Sequence, residues 1–409
     1  MANTMLEVDR ITVRRGMDVV LNECNLALHG GQSAVLVGPN GSGKSTLLEA
    51  CAGLLTLEQG EIRHHSVTVV RPDGARTVSS TLHGLTLQRN GAMGSETVEE
   101  HLHTAMSSVG RQTDLQPWLE RFKLDHRRHD LIAHLSEGQA RKVAVLAGLL
   151  PAFVAPSPGL VLLDEPTTGL DAAARSQTLA WMKELTQRGH ALLVSSHIDD
   201  VLQACTHTFN MTSLQLQPST PPPERDQTTP SLQPVATEPL TTESGGRFGR
   251  RQHLRTQAWL STNGVAALLA LGVLLVLGDI EASLNASQTL ALMLAPAAAA
   301  GLVGEAMATL GREERSDDWR FAVGLGTAHG TPLIAALGAA FTVLAGIALT
   351  GDIDPRHIAA GAGLSSVVAW SMGFLQRSVR RLARPQAVFV GLFTPVLLLP
   401  YALLVDWLA

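Results

Sequence analysis

The residues best suited to chemistry in this 409-residue chain form a glycine-rich run near its N-terminus. The run GPNGSGKST follows the apolar stretch SAVLV and precedes the helix-like stretch LLEACAGLL. Glycines let the backbone curl so that its N–H groups point at phosphate oxygens, and the helix start adds a favourable dipole. Lys44 is placed to reach the outer phosphates of a nucleotide, and Ser45 offers a hydroxyl to Mg²⁺. The spacing therefore predicts a nucleotide phosphate site made by Gly38, Asn40, Gly41, Ser42, Gly43, Lys44, Ser45 and Thr46.

Two adjacent carboxylates end a second apolar run, LVLLDEPTTGLDA, at residues 160–172. Asp164 is predicted to hold Mg²⁺, directly or through water. Glu165 is placed to orient and deprotonate an attacking water as a general base. A solvated acidic turn is the alternative, but a buried apolar strand leading straight into Asp-Glu-Pro is a poor turn sequence.

A histidine and a glutamine complete the candidate catalytic residues. His197 follows the strand-like HALLVSS and is predicted to contact the γ-phosphate, although a lone histidine is more often structural. Gln88, in LTLQRN, is assigned to catalysis and, with Ser45 and Asp164, to the Mg²⁺ ligands. Its assignment depends on the other motifs, because any exposed glutamine would look the same.

Net charge and cysteine spacing bear on whether the chain binds nucleic acid or zinc and on its redox compartment. Lys plus Arg number 31 against 36 Asp plus Glu, a formal charge of −5, which gives no reason to expect a nucleic-acid partner. Cys24, Cys51 and Cys205 are spaced neither as a zinc site nor as a CxxC pair. We expect them to be small apolar residues in a reducing compartment.

The elements that must position these residues belong to the first of three zones. Residues 1–213 alternate strand-like runs with helical stretches, which is typical of an α/β layered domain. Residues 214–250 are rich in Pro, Thr, Ser and Gln, and this composition predicts an extended or disordered linker. Residues 251–409 are rich in Ala, Leu, Val and Gly and form the third zone.

Apolar runs long enough to cross a bilayer as helices recur in the third zone, at about 258–278, 285–310, 331–350, 357–375 and 386–408. The loops RFGRRQHLR, GREERSDDWR and QRSVRRLARP carry the arginines, whereas GDIEAS and GDIDPR are net acidic. The positive-inside rule then places the basic loops in the cytoplasm. We predict an all-α transmembrane domain of about five helices in the inner (cytoplasmic) membrane, in contact with lipid, with the first domain cytoplasmic. Buried helices of a soluble domain are the alternative.

The order GPNGSGKST, LTLQRN, LSEGQ, VLLDEP, GLDA and SSH resembles the ABC-transporter ATPase family across the whole first domain. The resemblance implies a P-loop α/β ATPase that uses ATP and Mg²⁺. It also implies two ATPase domains packed head to tail, as a homodimer or with another ABC half. The LSEGQ loop would then act in trans, with Ser136, Gly138 and Gln139 capping the γ-phosphate held by the partner's Lys44.

This chain departs from the family pattern at two places. Glu137 stands where the family commonly has Gly, so its carboxylate is expected to point away from the phosphate. No aromatic residue lies in RRGMDVVL to stack on adenine, and we expect Arg14 or Arg15 to substitute.

The third zone resembles the channel subunit of the cytochrome c maturation ABC transporter, in the stretch APAAAAGLVGEAMATLGREERSDDWRFAVGLGTAHGTPLIAALGAAF. Such subunits generally have six helices, which leaves open whether an additional membrane subunit supplies one. In this class the cytoplasmic segment after the second crossing docks on the ATPase domain, so Glu313, Arg315, Asp318 and Trp319 are candidates for the contact. A solvated turn is the alternative.

Together these features predict an ATP-hydrolysing transporter of the cytochrome c maturation or haem-export type. A general exporter of drugs, lipids or peptides is a second hypothesis. A membrane remodeller that uses ATP without transporting is a third, and an importer is the least favoured.

Overall fold

A computed structural model describes residues 3–92, 94, 96–219, 237–239, 289–290, 293–295, 297, 315–325, 331–349 and 354–379. The chain divides into two compact units. The first unit comprises Met1–Arg247 and Gly311–Thr327, and the second comprises Phe248–Leu310 and Ala328–Ala409.

The described strands all belong to the first unit. They are β1 (Thr4–Arg15), β2 (Asp18–His29), β3 (Ser33–Val37), β4 (Gln59–His64), β5 (Val67–Val70), β6 (Leu82–Thr86), β7 (Arg111–Gln112), β8 (Leu160–Asp164), β9 (Ala191–Ser195), β10 (His207–Asn210), β11 (Gln215–Pro218) and β12 (Glu238–Pro239).

A six-stranded sheet in the order β11-β10-β3-β9-β8-β6 forms the centre of this unit. All neighbours in it are parallel except β10 and β11. Strands β6, β8 and β9 are buried along their whole length, as expected for parallel strands covered on both faces. A second, antiparallel sheet has the order β2-β1-β4-β5. The carboxyl ends of β3, β8 and β9 meet at one edge, which brings together the residues that follow them.

The described helices are α1 (Lys44–Cys51), α2 (Val98–Ser107), α3 (Gln116–Arg121), α4 (Glu137–Val154), α5 (Ala172–Gln187), α6 (Asp199–Ala204), α7 (Ser316–Ala322), α8 (Thr331–Leu349) and α9 (Pro355–Val379). Helices α3, α4 and α5 share an aromatic cluster made by Trp118, Phe122, Phe153 and Trp181. Because Trp118, Phe122 and Trp181 are almost fully buried, this cluster fixes the helices to one another.

The first unit extends beyond the boundary predicted at residue 213. Strand β11 pairs with β10 and completes the six-stranded sheet, so residues 215–218 belong to the ATPase-like fold rather than to a linker. Residues Gly311–Thr327 also belong to this unit, although they lie far along the chain. Cys24, Cys51 and Cys205 are free and buried, as expected of small apolar residues.

The second unit contains α8 and α9, which pack closely against each other. A Cβ on Gly361 would collide with Thr342, and one on Gly338 would collide with Ser365, so glycine at both positions allows the close approach. These helices coincide with the apolar runs predicted at 331–350 and 357–375. The runs at 258–278 and 386–408 lie outside the described residues, and so does the run at 285–310 except for residues 289–290, 293–295 and 297. Within the described part of the chain, no helix has the combination of length and apolar character needed to cross a membrane.

Candidate active site

The phosphate loop joins β3 to α1. Gly41 and Gly43 adopt left-handed backbone angles, with φ of 82° and 95°. Gly43 also has no room for a side chain, since a Cβ there would lie 3.0 Å from Val20 Cγ1 and 3.1 Å from Leu21 Cδ2. The loop therefore needs glycine both for its curl and for its packing against β2.

Lys44, the first residue of α1, directs its ammonium back into this loop. Its Nζ donates to the carbonyl oxygens of Gly38 at 2.7 Å and Pro39 at 3.1 Å. The residue is only 9% exposed, so its charge is held at the loop rather than free in solvent. The loop N–H groups, the start of α1 and this ammonium together are suited to bind nucleotide phosphates.

Asp164, at the end of β8, lies beside the loop and is fully buried. Its Oδ1 accepts hydrogen bonds from Ser195 Oγ and, at 3.1 Å, from Ser45 Oγ. Its Oδ2 is buried and has no hydrogen-bond partner among the residues that the structure describes. Of the three residues predicted to hold Mg²⁺, Ser45, Gln88 and Asp164, the structure thus brings Ser45 and Asp164 together.

Burial raises the pKa of Asp164, and the charges of Glu49 and Glu165 raise it further, while hydrogen bonds from Ser195 and Ser45 oppose this shift. A carboxylate with one unpartnered buried oxygen beside a hydroxyl is a suitable donor set for a hard cation. The residues present therefore fit Mg²⁺, with Ser45 and Asp164 as the groups that would hold it.

Glu165 follows Asp164 in a left-handed conformation, with φ of 49°. Such a backbone costs a non-glycine residue about 1–3 kcal/mol and persists only where its surroundings hold it. Its N–H donates to Ser195 O at 3.1 Å and to Ser195 Oγ at 3.0 Å. Its Oε2 accepts from Thr168 Oγ1 at 3.1 Å, and its Oε1 lies 3.1 Å from His197 Nδ1. Main chain and carboxylate are therefore both oriented.

His197 contacts the Glu165 carboxylate, and Gln88 lies just after the end of β6. The His197 side chain is 62% exposed and meets Glu165, so the structure joins these two predicted residues directly. Gln88 follows β6 and is exposed. Its main-chain carbonyl oxygen accepts a 3.4 Å hydrogen bond from Arg141, a residue that the sequence analysis did not identify.

The signature loop, residues 135–139, begins α4 with a reciprocal cap. Ser136 Oγ accepts from Gln139 N at 3.3 Å, and Gln139 Oε1 accepts from Ser136 N at 3.0 Å. This is a capping box, and the spacing S-x-x-Q is the sequence signal that identifies it. In the part of the chain that the structure describes, these two side chains bond to each other and not to the phosphate loop. Ser136 and Glu137 are exposed, whereas Gly138 is half-buried.

The arginines expected to stack on adenine are both engaged elsewhere. Arg14 pairs with Glu58 at 2.6 Å and donates to Met17 O at 3.1 Å. Arg15 pairs with Glu49, which is buried on α1. Neither guanidinium is therefore free of carboxylate contact.

The fold and these residues define a P-loop α/β domain that binds nucleotide phosphates. The family model described as "ABC transporter" matches residues 21–168. An aliphatic sulfonates import ATP-binding protein, SsuB 2 of Paraburkholderia xenovorans, is 33% identical over 56% of this chain and 85% of its own length. A cytochrome c biogenesis ATP-binding export protein, CcmA of Brucella abortus, is 32% identical over 47% of this chain and 85% of its own length. A solved structure titled as the ATP-binding subunit of an ABC transporter has 27% identity and a TM-score of 0.43, covering 50% of this chain and 85% of that chain.

The chain belongs to the ABC transporter family, because it covers most of two relatives at more than 30% identity. Its first unit is an ABC ATPase that binds and hydrolyses ATP.

Proposed function

We propose that this protein is an ATP-driven transporter in which the first unit drives a fused membrane domain, residues 251–409. The observation that carries the proposal is the position of residues 315–325, named here the docked segment. In sequence this segment lies between the apolar runs at 285–310 and 331–350, yet in the structure it belongs to the ATPase unit.

The docked segment is held by Trp319, which is 2% exposed. Its indole N–H donates to Leu85 O at 2.8 Å, and its ring lies 5.1 Å, centroid to centroid, from the ring of His101. Gly91 leaves room for the indole, because a Cβ there would lie 3.0 Å from Trp319 Cβ. Since Leu85 is on the strand that leads to Gln88, the segment contacts an element that carries a catalytic candidate.

Two arginines extend this contact. Arg315 pairs with the buried Glu49 on α1, the helix that begins with Lys44, and also with Asp318 at 3.1 Å. Arg320 Nη1 lies 3.7 Å from Glu96 Oε1, and both side chains are buried. Buried ion pairs depend on good geometry, so the segment has one preferred position on the ATPase. Of the predicted docking residues, Arg315, Asp318 and Trp319 lie in this contact; Glu313 lies outside the described residues.

In the proposed mechanism, Lys44 and the loop N–H groups bind the β- and γ-phosphates, and Glu165 takes a proton from the water that attacks the γ-phosphorus. The bond from that phosphorus to the β–γ bridging oxygen breaks, and ADP and phosphate leave. Thr168 and His197 orient that carboxylate, and His197 also faces the γ-phosphate. Mg²⁺, held by Ser45 and Asp164, would supply charge neutralisation for the phosphates. Two ATPase units arranged head to tail place Ser136, Gly138 and Gln139 of one copy over the nucleotide of the other. ATP then favours the closed pair, and hydrolysis releases it.

We assign the proposed transporter to cytochrome c maturation. The relatives of the ATPase unit do not distinguish import from export, since an import protein and a cytochrome c biogenesis export protein have similar sequence identity to this chain. The third zone supports the choice through its resemblance to a cytochrome c maturation channel subunit. A general exporter and a non-transporting remodeller are the alternatives.

The test is covalent haem in c-type cytochromes, measured by haem stain in a host that lacks this gene. Complementation with the wild type, but not with Glu165→Gln, should restore the stain. A stain that is unaffected by loss of the gene would overturn the cytochrome c assignment. Stimulation of the ATPase by lipophilic compounds would then favour the general exporter, and dependence on a co-purifying membrane protein would favour the remodeller.

A further inference from the structure

Arg141 is a buried cation near the N-terminus of α4, the helix that begins with the signature loop, and the residue is 7% exposed. Within the described part of the chain its guanidinium donates to four main-chain oxygens: Leu87 O at 2.7 Å, Gln88 O at 3.4 Å, Asp164 O at 2.6 Å and Glu165 O at 2.7 Å. Two of these carbonyls belong to the turn that carries Gln88, and two belong to the turn that carries Glu165. One side chain thus joins these two turns to α4.

The bond to Glu165 matters because of the backbone there. A left-handed residue other than glycine keeps its conformation only when its flanking peptide groups are held. Ser195 accepts from the Glu165 N–H on one side, and Arg141 donates to the Glu165 carbonyl on the other. Without Arg141 the buried carbonyl of Asp164 and the partly buried carbonyl of Glu165 would each lose a charge-assisted hydrogen bond.

Arginine suits this position, and lysine does not. The guanidinium is planar and presents five donors in a fixed fork, so it can serve carbonyls on two sides at once. An ammonium is a single point with three donors on a flexible stem. The Arg141 Cγ also lies 3.9 Å from the position that a Cβ on Gly169 would take, so the aliphatic part of this side chain lies close to the loop after Glu165.

The same turn of α4 makes a second attachment to that loop. Lys142 Nζ lies 2.5 Å from Asp171 Oδ2 and donates to Phe122 O at 3.1 Å. Asp171 in turn caps α5 by accepting from Ala174 N at 2.8 Å. The beginning of α4, where Ser136 lies, is therefore tied to the residues that follow the catalytic carboxylates.

We propose that Arg141 is a positioning residue that sets the backbone of Glu165 and of Gln88 relative to the signature helix. It acts through these main-chain groups and does not contact the nucleotide itself. In the head-to-tail pair, on which this consequence rests, Ser136 meets the nucleotide of the other copy. Arg141 then transmits the position of α4 at one site to the general base of the other site.

The test uses full-length Arg141→Lys and Arg141→Met, with Arg128→Lys as a matched control. Arg128 also makes a 2.7 Å charged hydrogen bond, to Glu99, but contacts none of the catalytic turns. The measurements are the Kd for a non-hydrolysable ATP analogue, kcat and KM for ATP, the Hill coefficient and Tm. Separating binding from turnover distinguishes positioning from loss of the fold.

We expect both Arg141 variants to lower kcat by at least ~10-fold while the analogue Kd stays within about 3-fold of wild type. The Hill coefficient should fall to about 1 in both, because the link between the sites is lost. Arg128→Lys should keep kcat and the Hill coefficient. We expect Arg141→Lys to have a higher Tm than Arg141→Met without recovering kcat.

Two outcomes would overturn the proposal: an unchanged kcat in Arg141→Lys, or equal losses of kcat and analogue affinity in both variants. Failure of the head-to-tail arrangement gives a different result. In that case the wild type itself would show a Hill coefficient of about 1, and kcat and Kd would still decide whether Arg141 positions Glu165.

Discussion

The indole N–H of Trp319 donates a 2.8 Å hydrogen bond to the carbonyl of Leu85, across 234 positions of sequence. Leu85 lies on β6, just before Gln88, and Trp319 lies on α7 in the docked segment. Its indole is buried against Gly91 and His101, so this contact belongs to the packed core and not to a surface turn. Through this contact the stretch between the apolar runs at 285–310 and 331–350 belongs to the ATPase unit.

Replacing Trp319 with Ala should release the docked segment, because truncating a buried Trp commonly costs about 3–5 kcal/mol. We expect hydrogen exchange of residues 315–325 to rise at least ~10-fold, and the haem stain to be lost, while the Kd for ATP changes little. Trp118→Phe, in the aromatic cluster away from this contact, is the matched control. Unchanged exchange in Trp319→Ala would mean that the indole does not hold the segment.

Replacing Glu165 with Gln should leave ATP binding intact and slow hydrolysis at least ~100-fold, because an amide cannot take the proton of the attacking water. Single-turnover hydrolysis together with analogue binding measures both effects. Thr168→Val removes only the 3.1 Å hydrogen bond to this carboxylate and should have a smaller effect on the rate. An unchanged rate in Glu165→Gln would remove this residue from the role of general base.

Substitutions at Ser136 should separate its two roles. Ser136→Thr keeps a hydroxyl for the capping box and should keep both stability and turnover. Ser136→Ala loses the cap, which costs about 1 kcal/mol. Ser136→Arg should abolish cooperative turnover and leave ATP binding at a single site, since the larger side chain blocks the partner's nucleotide. Intact turnover in Ser136→Arg would show that this loop does not act in trans.

Stability should fall as the pH is lowered from about 6.5 towards 4. Burial lowers the pKa of both His64 and His190 to about 4, and the electrostatic interaction with the nearby His83 lowers the pKa of His190 further. Between the ordinary histidine pKa and 4 the unfolded chain binds more protons than the folded one, so protons favour unfolding.

Each of these two histidines should contribute up to about one proton to the slope of unfolding free energy against pH. His190→Gln should remove its share, provided that the variant still folds. His126→Asn, at an exposed position, is the control and should keep the slope of the wild type. Chemical denaturation at several pH values gives the slopes, and equal slopes in His190→Gln and wild type would contradict the assignment.

The phosphate loop could be placed from the sequence because its requirements are local. Gly41 and Gly43 are needed for left-handed angles, Lys44 begins the helix, and the preceding strand is continuous and apolar. The carboxylates Asp164 and Glu165 were found in the same way, since they directly follow a buried strand. Motifs of this kind are recognisable because adjacent residues carry both the structure and the chemistry.

The extent of the first unit was harder to predict. Strand β11 lies in a stretch whose composition resembled the linker, and only its pairing with β10 shows that it belongs to the sheet. Arg141 was missed for a related reason. The one available signal was a cation in a helix that is otherwise largely apolar, and its partners Leu87 and Glu165 are far away in sequence.

By itself the sequence determined the α/β class of the first unit, the order of its motifs and the chemistry of its phosphate site, because each depends on neighbouring residues. Only the tertiary structure decided which groups hold these motifs in place by hydrogen bonds. Ser195 bonds to Glu165, Arg141 bonds to four main-chain carbonyls, and Trp319 bonds to Leu85. These contacts join distant stretches of chain, and a hydrogen bond to a main-chain carbonyl can be made to any residue type. The sequence at the acceptor therefore carries no mark of its donor.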